Sequence, residues 1–382
     1  MKKVYYWSPF ITPVATVRAV INSANTLKAF SKSEYQPSII NVAGEWNVFK
    51  KELEDKEINL IELTSSNIIN NKKYKGFLKS RLIYIYIFFL AFFPLIRLLK
   101  SRPPDFFIIH LISPLPMIIN YFFKINTKMI LRISGFPKLN LIRKLFWKIT
   151  LSKIHLLTCP TKATKKDIEL NNLVQNKKIK TLYDPIISPK NIIYSLKNSK
   201  IKLEDRNYFL AVGRLTRQKN FTFLIDAFKT FNGKNKNKLI IVGEGEQKDT
   251  LLKIIRSNKI ENLVEVHDYT ENIYHYYKHA KCFILSSLWE DPGFVLVEAC
   301  YMGLPIISSD CKNGPEEILE YGKNGILFEN NKKTSFIKKI KLFENLSKDE
   351  IRKLIVNAKK KSKEFTPLKH YKKLIILLKE ID

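Results

Sequence analysis

Two carboxylates, Glu290 and Glu298, stand eight positions apart in Glu290-Asp291-Pro292-Gly293-Phe294-Val295-Leu296-Val297-Glu298. The apolar run Cys282-Phe283-Ile284-Leu285 before them reads as a strand and leads into Ser286-Ser287. Pro292-Gly293 makes a turn. An apolar helix then runs from Phe294 to Gly303, and Pro305 opens the next strand. Gly at a helix end with Pro soon after is a stop signal. The turn thus lies at the carboxyl end of a strand, where α/β sheets bind ligands, and the amides that open the helix would face an anion. Glu298 falls on the first turn or so of that helix and can accept two hydrogen bonds from ribose hydroxyls. Glu290 precedes the turn and would face the other end of the same ligand. A helix-dipole partner at Glu298 and a solvated acid at Glu290 are the plainer alternatives.

A second group follows the apolar run Tyr208-Phe209-Leu210-Ala211-Val212. It is Gly213-Arg214-Leu215-Thr216-Arg217-Gln218-Lys219-Asn220. Arg214 and Lys219, at a strand's carboxyl end just before a helix start, make a diphosphate site; a solvated basic loop is the alternative. Gly213, Gly243, Gly245 and Gly293 follow strand candidates of one sheet. Their turns should line one crevice that a ligand can approach closely.

Such a site needs a scaffold of alternating strands and helices. Residues 3–7, 38–42, 105–110, 129–133, 155–159 and 180–183 read as strands, and 16–30 as the first helix. The loop 8–15 holds Pro9 and Pro13 but no glycine, so a dinucleotide-type G-x-G-x-x-G turn is absent there. Periodicity is lost over 186–205, which reads as a linker. Strands at 208–212, 238–242, 264–266, 282–285, 305–307 and 325–328 then alternate with helices at 221–231, 247–255 and 273–279. Helices fill 334–363, Phe365-Thr366-Pro367 breaks the run, and 368–380 forms a last amphipathic helix. This alternation argues for parallel sheets covered by helices on both faces. The expected division is 1–190, 191–363 and a C-terminal helix within 364–382 that crosses back to the first domain.

At 382 residues the chain can hold two full cores, and 45% hydrophobic with 26% charged residues is globular, not disordered. A net charge of +31 points to an anionic partner, nucleic acid or membrane, although a Lys-, Ile- and Asn-rich composition accounts for part of it. Residues 81–100 are the most apolar stretch. Residues 82–96 carry no charge, a run shorter than the roughly 20 residues a spanning helix needs, and Pro94 interrupts its end. Arg81, Arg97 and Lys100 flank it, with Lys72, Lys73, Lys75 and Lys79 just before. These flanks suit a helix lying in an anionic membrane surface; a buried core helix is the alternative. Cys159, Cys282, Cys300 and Cys311 form no C-x-x-C pair and no zinc set with His, so free thiols and a reducing cytosol are expected. Val4-Tyr5-Tyr6-Trp7 is too short for a signal core, so export is not expected.

Glu290…Glu298 with Gly293 between resembles the E-x7-E motif of the family 4 retaining glycosyltransferases. Val212-Gly213-Arg214-Leu215 with Lys219-Asn220 resembles that family's G-R-L…K-N segment, and Ile241-Val242-Gly243-Glu244-Gly245 its strand-G-x-G turn. Gly303-Leu304-Pro305-Ile306-Ile307-Ser308-Ser309-Asp310, Gly314-Pro315-Glu316-Glu317-Ile318 and Gly322-Lys323-Asn324-Gly325-Ile326-Leu327-Phe328 resemble the segments that follow. The likeness covers roughly residues 207–330, in order and at family spacing. It implies a GT-B fold, two Rossmann-like domains whose parallel sheets face across a cleft, and a nucleotide-sugar donor. Arg214 and Lys219 would hold the diphosphate and Glu298 the ribose. Glu290 and the amides of Gly293, Phe294 and Val295 would contact the sugar. Glu290, Arg214 and Lys219 are the implied catalytic residues, and Gly213, Gly243 and Gly245 join the donor site. No divalent metal or other cofactor is implied, in keeping with the lack of a D-x-D motif. The first half departs from the pattern: Thr12-Pro13-Val14-Ala15-Thr16 stands where a Gly-Gly loop is usual. Arg132-Ile133-Ser134-Gly135 stands where a His often touches the sugar, and His110 ends another strand.

The expected function is a retaining hexosyltransferase that moves a sugar, UDP being the commoner carrier, to a lipid-linked or cell-surface saccharide. Polysaccharide, O-antigen or lipopolysaccharide biosynthesis in a bacterium would be the setting. The chain would be cytoplasmic, peripheral on the anionic inner face of the cytoplasmic membrane. A nucleotide-sugar 2-epimerase of the same fold is the alternative enzyme; it needs further acid/base residues on both domains and no membrane patch. A basic nucleic-acid binder is the non-enzymatic alternative, but no RRM, KH, zinc or helix-turn-helix signature supports it, and nucleic acid is not an expected partner.

Overall fold

The computed structural model describes residues 1–11, 15–69, 77–135, 139–198, 208–232 and 237–382. Most of the loop expected to replace the Gly-Gly turn (12–14), three of the expected basic flanks (Lys72, Lys73, Lys75) and part of the expected linker (199–205) lie outside them. The chain forms two units, Met1–Ile186 with Pro367–Asp382, and Ile187–Thr366.

The first unit is built on a seven-stranded sheet. Its strands are β1 (Lys2–Trp7), β2 (Tyr35–Asn41), β3 (Asn59–Glu62), β4 (Phe106–Ile109), β5 (Lys128–Arg132), β6 (Leu156–Cys159) and β7 (Ile179–Thr181). All pairs are parallel, in the order β3-β2-β1-β4-β5-β6-β7. Strands such as Phe106-Phe107-Ile108-Ile109 are apolar throughout because both faces are covered. Alternate side chains divide between two cores. Tyr5, Trp7, Phe107 and Ile109 pack with the helices Phe77–Ser101 and Pro114–Phe122. Val4, Tyr6, Phe106 and Ile108 pack with Ala15–Phe30 and Pro367–Ile381. Right-handed crossovers produce this division, since the chain runs outward from β1 in both directions.

Three first-half elements go beyond the sequence reading. The edge strand β3 escapes sequence reading because it is four residues long and only partly buried. Ser113-Pro114-Leu115-Pro116 opens the helix Pro114–Phe122, since a proline in the first turn forfeits no helical bond. Pro94 does not end its helix, which runs through it from Phe77 to Ser101. Ile87, Ala91, Leu95 and Leu99, spaced by four, are buried in the sheet's core on either side of Pro94 and hold the helix together there.

Polar groups gather inside this unit at the carboxyl ends of its strands. Arg132, at the end of β5, is buried and ion-paired with Asp184, which follows β7. Its Nη1 donates to Ser134 Oγ at 2.5 Å. His370 donates from Nδ1 to the Tyr183 carbonyl at 2.7 Å, so its Nε2 accepts from Ser23 Oγ at 2.9 Å. Tyr6 Oη lies 3.1 Å from Ser23 Oγ and donates to it, extending the chain. Burial, aided by the Arg132 charge, holds the pKa values of His370 and the neighbouring His110 below the ordinary value. Arg132 is therefore committed to an internal pair.

The second unit has a six-stranded sheet of β8 (Tyr208–Val212), β9 (Lys238–Val242), β10 (Val264–His267), β11 (Cys282–Leu285), β12 (Ile306–Ser309) and β13 (Ile326–Phe328). Its order is β10-β9-β8-β11-β12-β13, again all parallel. The strand order reverses between β8 and β11, the switch point where the ends of neighbouring strands open a crevice. The segment expected to be a linker contains a helix, Pro189–Asn198, which buries Ile192 and Ser195 in contact with the helix Ile273–His279. One buried turn is too short a pattern for the periodicity to stand out. All four cysteines are free and buried.

Asp184→Ala should strip Arg132 of its buried partner and lower the unfolding free energy of the first unit by roughly 3–5 kcal/mol. Chemical denaturation followed by tryptophan fluorescence measures this; a loss below about 1 kcal/mol would show that the pair is not internal as described.

Candidate functional site

The site is assembled from the loops that leave β8, β9 and β11. After β8 the chain makes a short turn of 3₁₀ helix, Arg217–Lys219, and Asn220 ends it in a left-handed conformation with φ +54°. This turn directs Lys219 back beneath the strand end. Its ammonium reaches Glu290 Oε1 at 2.5 Å, and Ser287 Oγ donates to the same oxygen at 2.5 Å. Lys219 and Glu290 are both buried. The fold thus brings the acid expected to face the sugar into contact with a cation expected to hold the diphosphate. Backbone bonds hold the two loops together. Ser286 Oγ donates to the Lys219 carbonyl at 2.8 Å, and Leu288 N to the Gln218 carbonyl at 2.8 Å. Arg214 is exposed, with Nη2 donating weakly to Gln218 Oε1 at 3.4 Å.

The glycines after β8 and β9 are there for close packing between loops. A Cβ on Gly243 would lie 1.9 Å from the Gly213 carbonyl oxygen, and one on Gly245 would lie 2.3 Å from that of Leu215. A Cβ on Gly213 would meet Lys219 Cε at 2.9 Å. The absent side chains of these glycines let the turns stack closely on one another.

Gly293 caps the helix Phe294–Met302 with φ +99°, a backbone conformation that L side chains rarely adopt. Phe294 and Val295 open the helix, where amide groups lack intrahelical acceptors and the helix dipole is positive. Glu298 sits one turn further on and keeps some exposed surface. Tyr274 Oη donates to its Oε1 at 3.4 Å and Tyr277 Oη to its Oε2 at 3.3 Å. Burial raises the Glu298 pKa to about 7, against the lowering effect of both phenols and of the Lys219 charge. The same packing raises the pKa of Tyr277.

Ser287, Tyr274 and Tyr277 are the site residues that sequence reasoning missed. Ser287 stood in plain view after β11, but nothing in the chain order shows that its hydroxyl meets an acid three positions on. Tyr274 and Tyr277 share a helix face by their spacing, yet that face meets Glu298 only through the fold.

Glu298 holds a proton more tightly folded than unfolded, where its pKa is near 4.5. Between about pH 4.5 and 7 the native state binds more protons, so stability from this group is present at acid pH and lost as pH rises through about 7. Between pH 5 and 7.5 wild type should lose about 2 kcal/mol relative to Glu298→Gln. Parallel stability curves in chemical denaturation would contradict this.

Comparison with known proteins gives the family. The profile of the family described as glycosyl transferases group 1 matches residues 195–361. An uncharacterized glycosyltransferase of Methanocaldococcus jannaschii is 32% identical over 322 residues, covering 74% of this chain and 79% of that protein. The N-acetylgalactosamine-N,N'-diacetylbacillosaminyl-diphospho-undecaprenol 4-alpha-N-acetylgalactosaminyltransferase of Campylobacter jejuni is 30% identical over 231 residues, 60% of this chain and 61% of the relative. The crystal structure of Anabaena HepE in complex with UDP superposes with a TM-score of 0.72 over 100% of both chains, at 15% identity. The sequence relationship and the shared architecture place this chain in the glycosyl transferases group 1 family, as a glycosyltransferase of GT-B fold.

Proposed function

We propose that this glycosyltransferase is a retaining, family 4 enzyme that takes a sugar from a UDP-sugar and adds it to a lipid-linked saccharide. The observation that carries the donor assignment is the buried Lys219–Glu290 pair beside the amides of Phe294 and Val295. It supplies a fixed cation and free helix donors at the switch point of the second sheet. Uridine as the base follows from the UDP held by the Anabaena relative, and the acceptor class from the undecaprenol-linked substrate named for the Campylobacter relative.

In this reading Lys219 and Arg214 neutralise the charge that grows on the leaving diphosphate, and the helix amides add to them. Glu298 accepts the ribose hydroxyls, with its two oxygens held by Tyr274 and Tyr277. Glu290 orients Lys219 and faces the sugar. Lys219 and Ser287 both hold Oε1 of Glu290. The acceptor attacks from the leaving-group face. Its hydroxyl proton passes to an oxygen of the departing β-phosphate, so the sugar keeps its anomeric configuration without a dedicated carboxylate base. Lys219, Arg214 and the amides fill the role that a divalent cation has elsewhere, so no metal is required. The enzyme works in the cytoplasm on the inner face of an anionic membrane, where it meets its acceptor.

Lys219→Ala and Glu298→Ala should each weaken UDP-sugar binding by roughly 10- to 100-fold in calorimetry, the cost of a charged hydrogen-bond partner. Unchanged affinity in both would refute the donor site. Transfer activity should survive EDTA; a loss restored by Mg²⁺ would refute the metal-free mechanism.

A further inference from the structure

The exposed apolar residues of the first unit are concentrated in one layer. On the helix Phe77–Ser101, the face opposite the buried stripe presents Leu82, Ile85, Phe89 and Phe93, with Phe89 and Phe93 70% and 77% exposed. The helix Leu141–Thr150 is more extreme. Thr150 is its one buried residue, and Leu141, Ile142 and Leu145 are 87%, 80% and 60% exposed. The helix Pro114–Phe122 touches both neighbours and ends in Phe122, 73% exposed. Crossover handedness sets all three helices on the same face of the sheet. A soluble chain rarely leaves so much large apolar surface in one region without a partner.

The charge around this layer has one sign. Over residues 63–166 Asp105 is the single acidic residue, against nineteen Lys and Arg. Exposed Arg97 and Lys100 flank the first stripe, and exposed Arg143, Lys144 and Lys148 alternate with the apolar residues of the third helix.

We propose that this layer is a three-helix docking surface for an anionic lipid bilayer. Leu141, Ile142 and Leu145 enter the acyl region as a wedge, beside Phe89, Phe93 and Phe122. The basic side chains contact lipid phosphates. Charge decides the partner. A second copy of the chain would bring two basic faces together and repel. Nucleic acid would satisfy the cations but leave the apolar stripes in water. A spanning arrangement is excluded although residues 81–101 are long and apolar enough. Ile87, Ala91, Leu95 and Leu99 are built into the sheet's core, so the helix lies along the surface. Residues 141–150 gain a role here that neither the donor site nor the apolar run alone suggested. The inference deepens the membrane partner proposed above and rests on that reading for its setting.

Vesicle co-sedimentation of the full chain tests it, with phosphatidylcholine alone and with equal phosphatidylcholine and phosphatidylglycerol. Binding should require the anionic lipid and weaken with salt. The triple variant Leu141→Ser, Ile142→Ser, Leu145→Ser should lose at least tenfold in vesicle affinity, as should Arg143→Glu with Lys144→Glu. Both should keep the wild-type melting temperature and UDP-sugar affinity. Lys219→Ala should do the reverse, losing UDP-sugar while still binding vesicles, so the two proposals fail separately. Wild-type binding by either variant, or no binding of wild type to anionic vesicles, overturns the surface. Dimerisation abolished by the triple variant would assign it to a second copy, and capture of duplex DNA in preference to vesicles would assign it to nucleic acid; either overturns the proposal.

Discussion

The buried contact between Lys219 and Glu290 is the constraint around which the second unit's loops are arranged. Two charges taken out of water are costly, and the cost is offset only when each meets a close partner of opposite sign. Here the separation is 2.5 Å, and Ser287 adds a hydrogen bond to the same carboxylate oxygen. That geometry leaves little freedom to the backbone on either side. The loop after β8 must turn sharply enough to send Lys219 inward, and the loop after β11 must bring Glu290 back to meet it. The Ser286 and Leu288 bonds to the Lys219 and Gln218 carbonyls join the two loops where they pass.

Close packing does the rest. The missing side chains of Gly213, Gly243 and Gly245 let the β8 and β9 loops lie in contact, with Leu215 N donating to the Glu244 carbonyl at 2.8 Å. A similar approach occurs on the other side, where a Cβ on Gly314 would lie 2.0 Å from the Pro292 carbonyl oxygen. The turn at residues 290–293 is thus wedged between the Lys219 loop and the Gly314 loop before its helix begins. This packing fixes the turn from which the helix amides and Glu298 project.

The first unit has the same sheet order extended by one edge strand, with a different use of polar and apolar groups. Its strand ends carry an internal network, Arg132 with Asp184 and His370 with Ser23 and Tyr183, that joins the C-terminal helix to the rest. Its outward face carries apolar helices with basic margins. Both features follow from where the crossover helices lie: one face of the sheet is closed by the helices Ala15–Phe30 and Pro367–Ile381, the other by helices that bury one stripe and expose the opposite one.

The sequence by itself determined the class of fold and marked out a candidate site. Apolar runs alternating with helical periods dictate parallel sheets, because strands buried on both faces tolerate no polar alternation. Glu290, Gly293, Glu298, Arg214 and Lys219 were legible because ordered motifs sit at fixed distances from strand ends. Tertiary structure alone decided which of them touch. Lys219 and Glu290 are 71 positions apart, and a pairing across that distance depends on two strands lying side by side. The same holds for Glu298 with Tyr274 and Tyr277, and for glycines whose reason is a neighbouring loop. The helix Phe77–Ser101 shows the limit from the other direction. Its composition suits a core or a membrane equally, and the structure buries one stripe and exposes the opposite one, because burial belongs to a face of the helix and not to the segment.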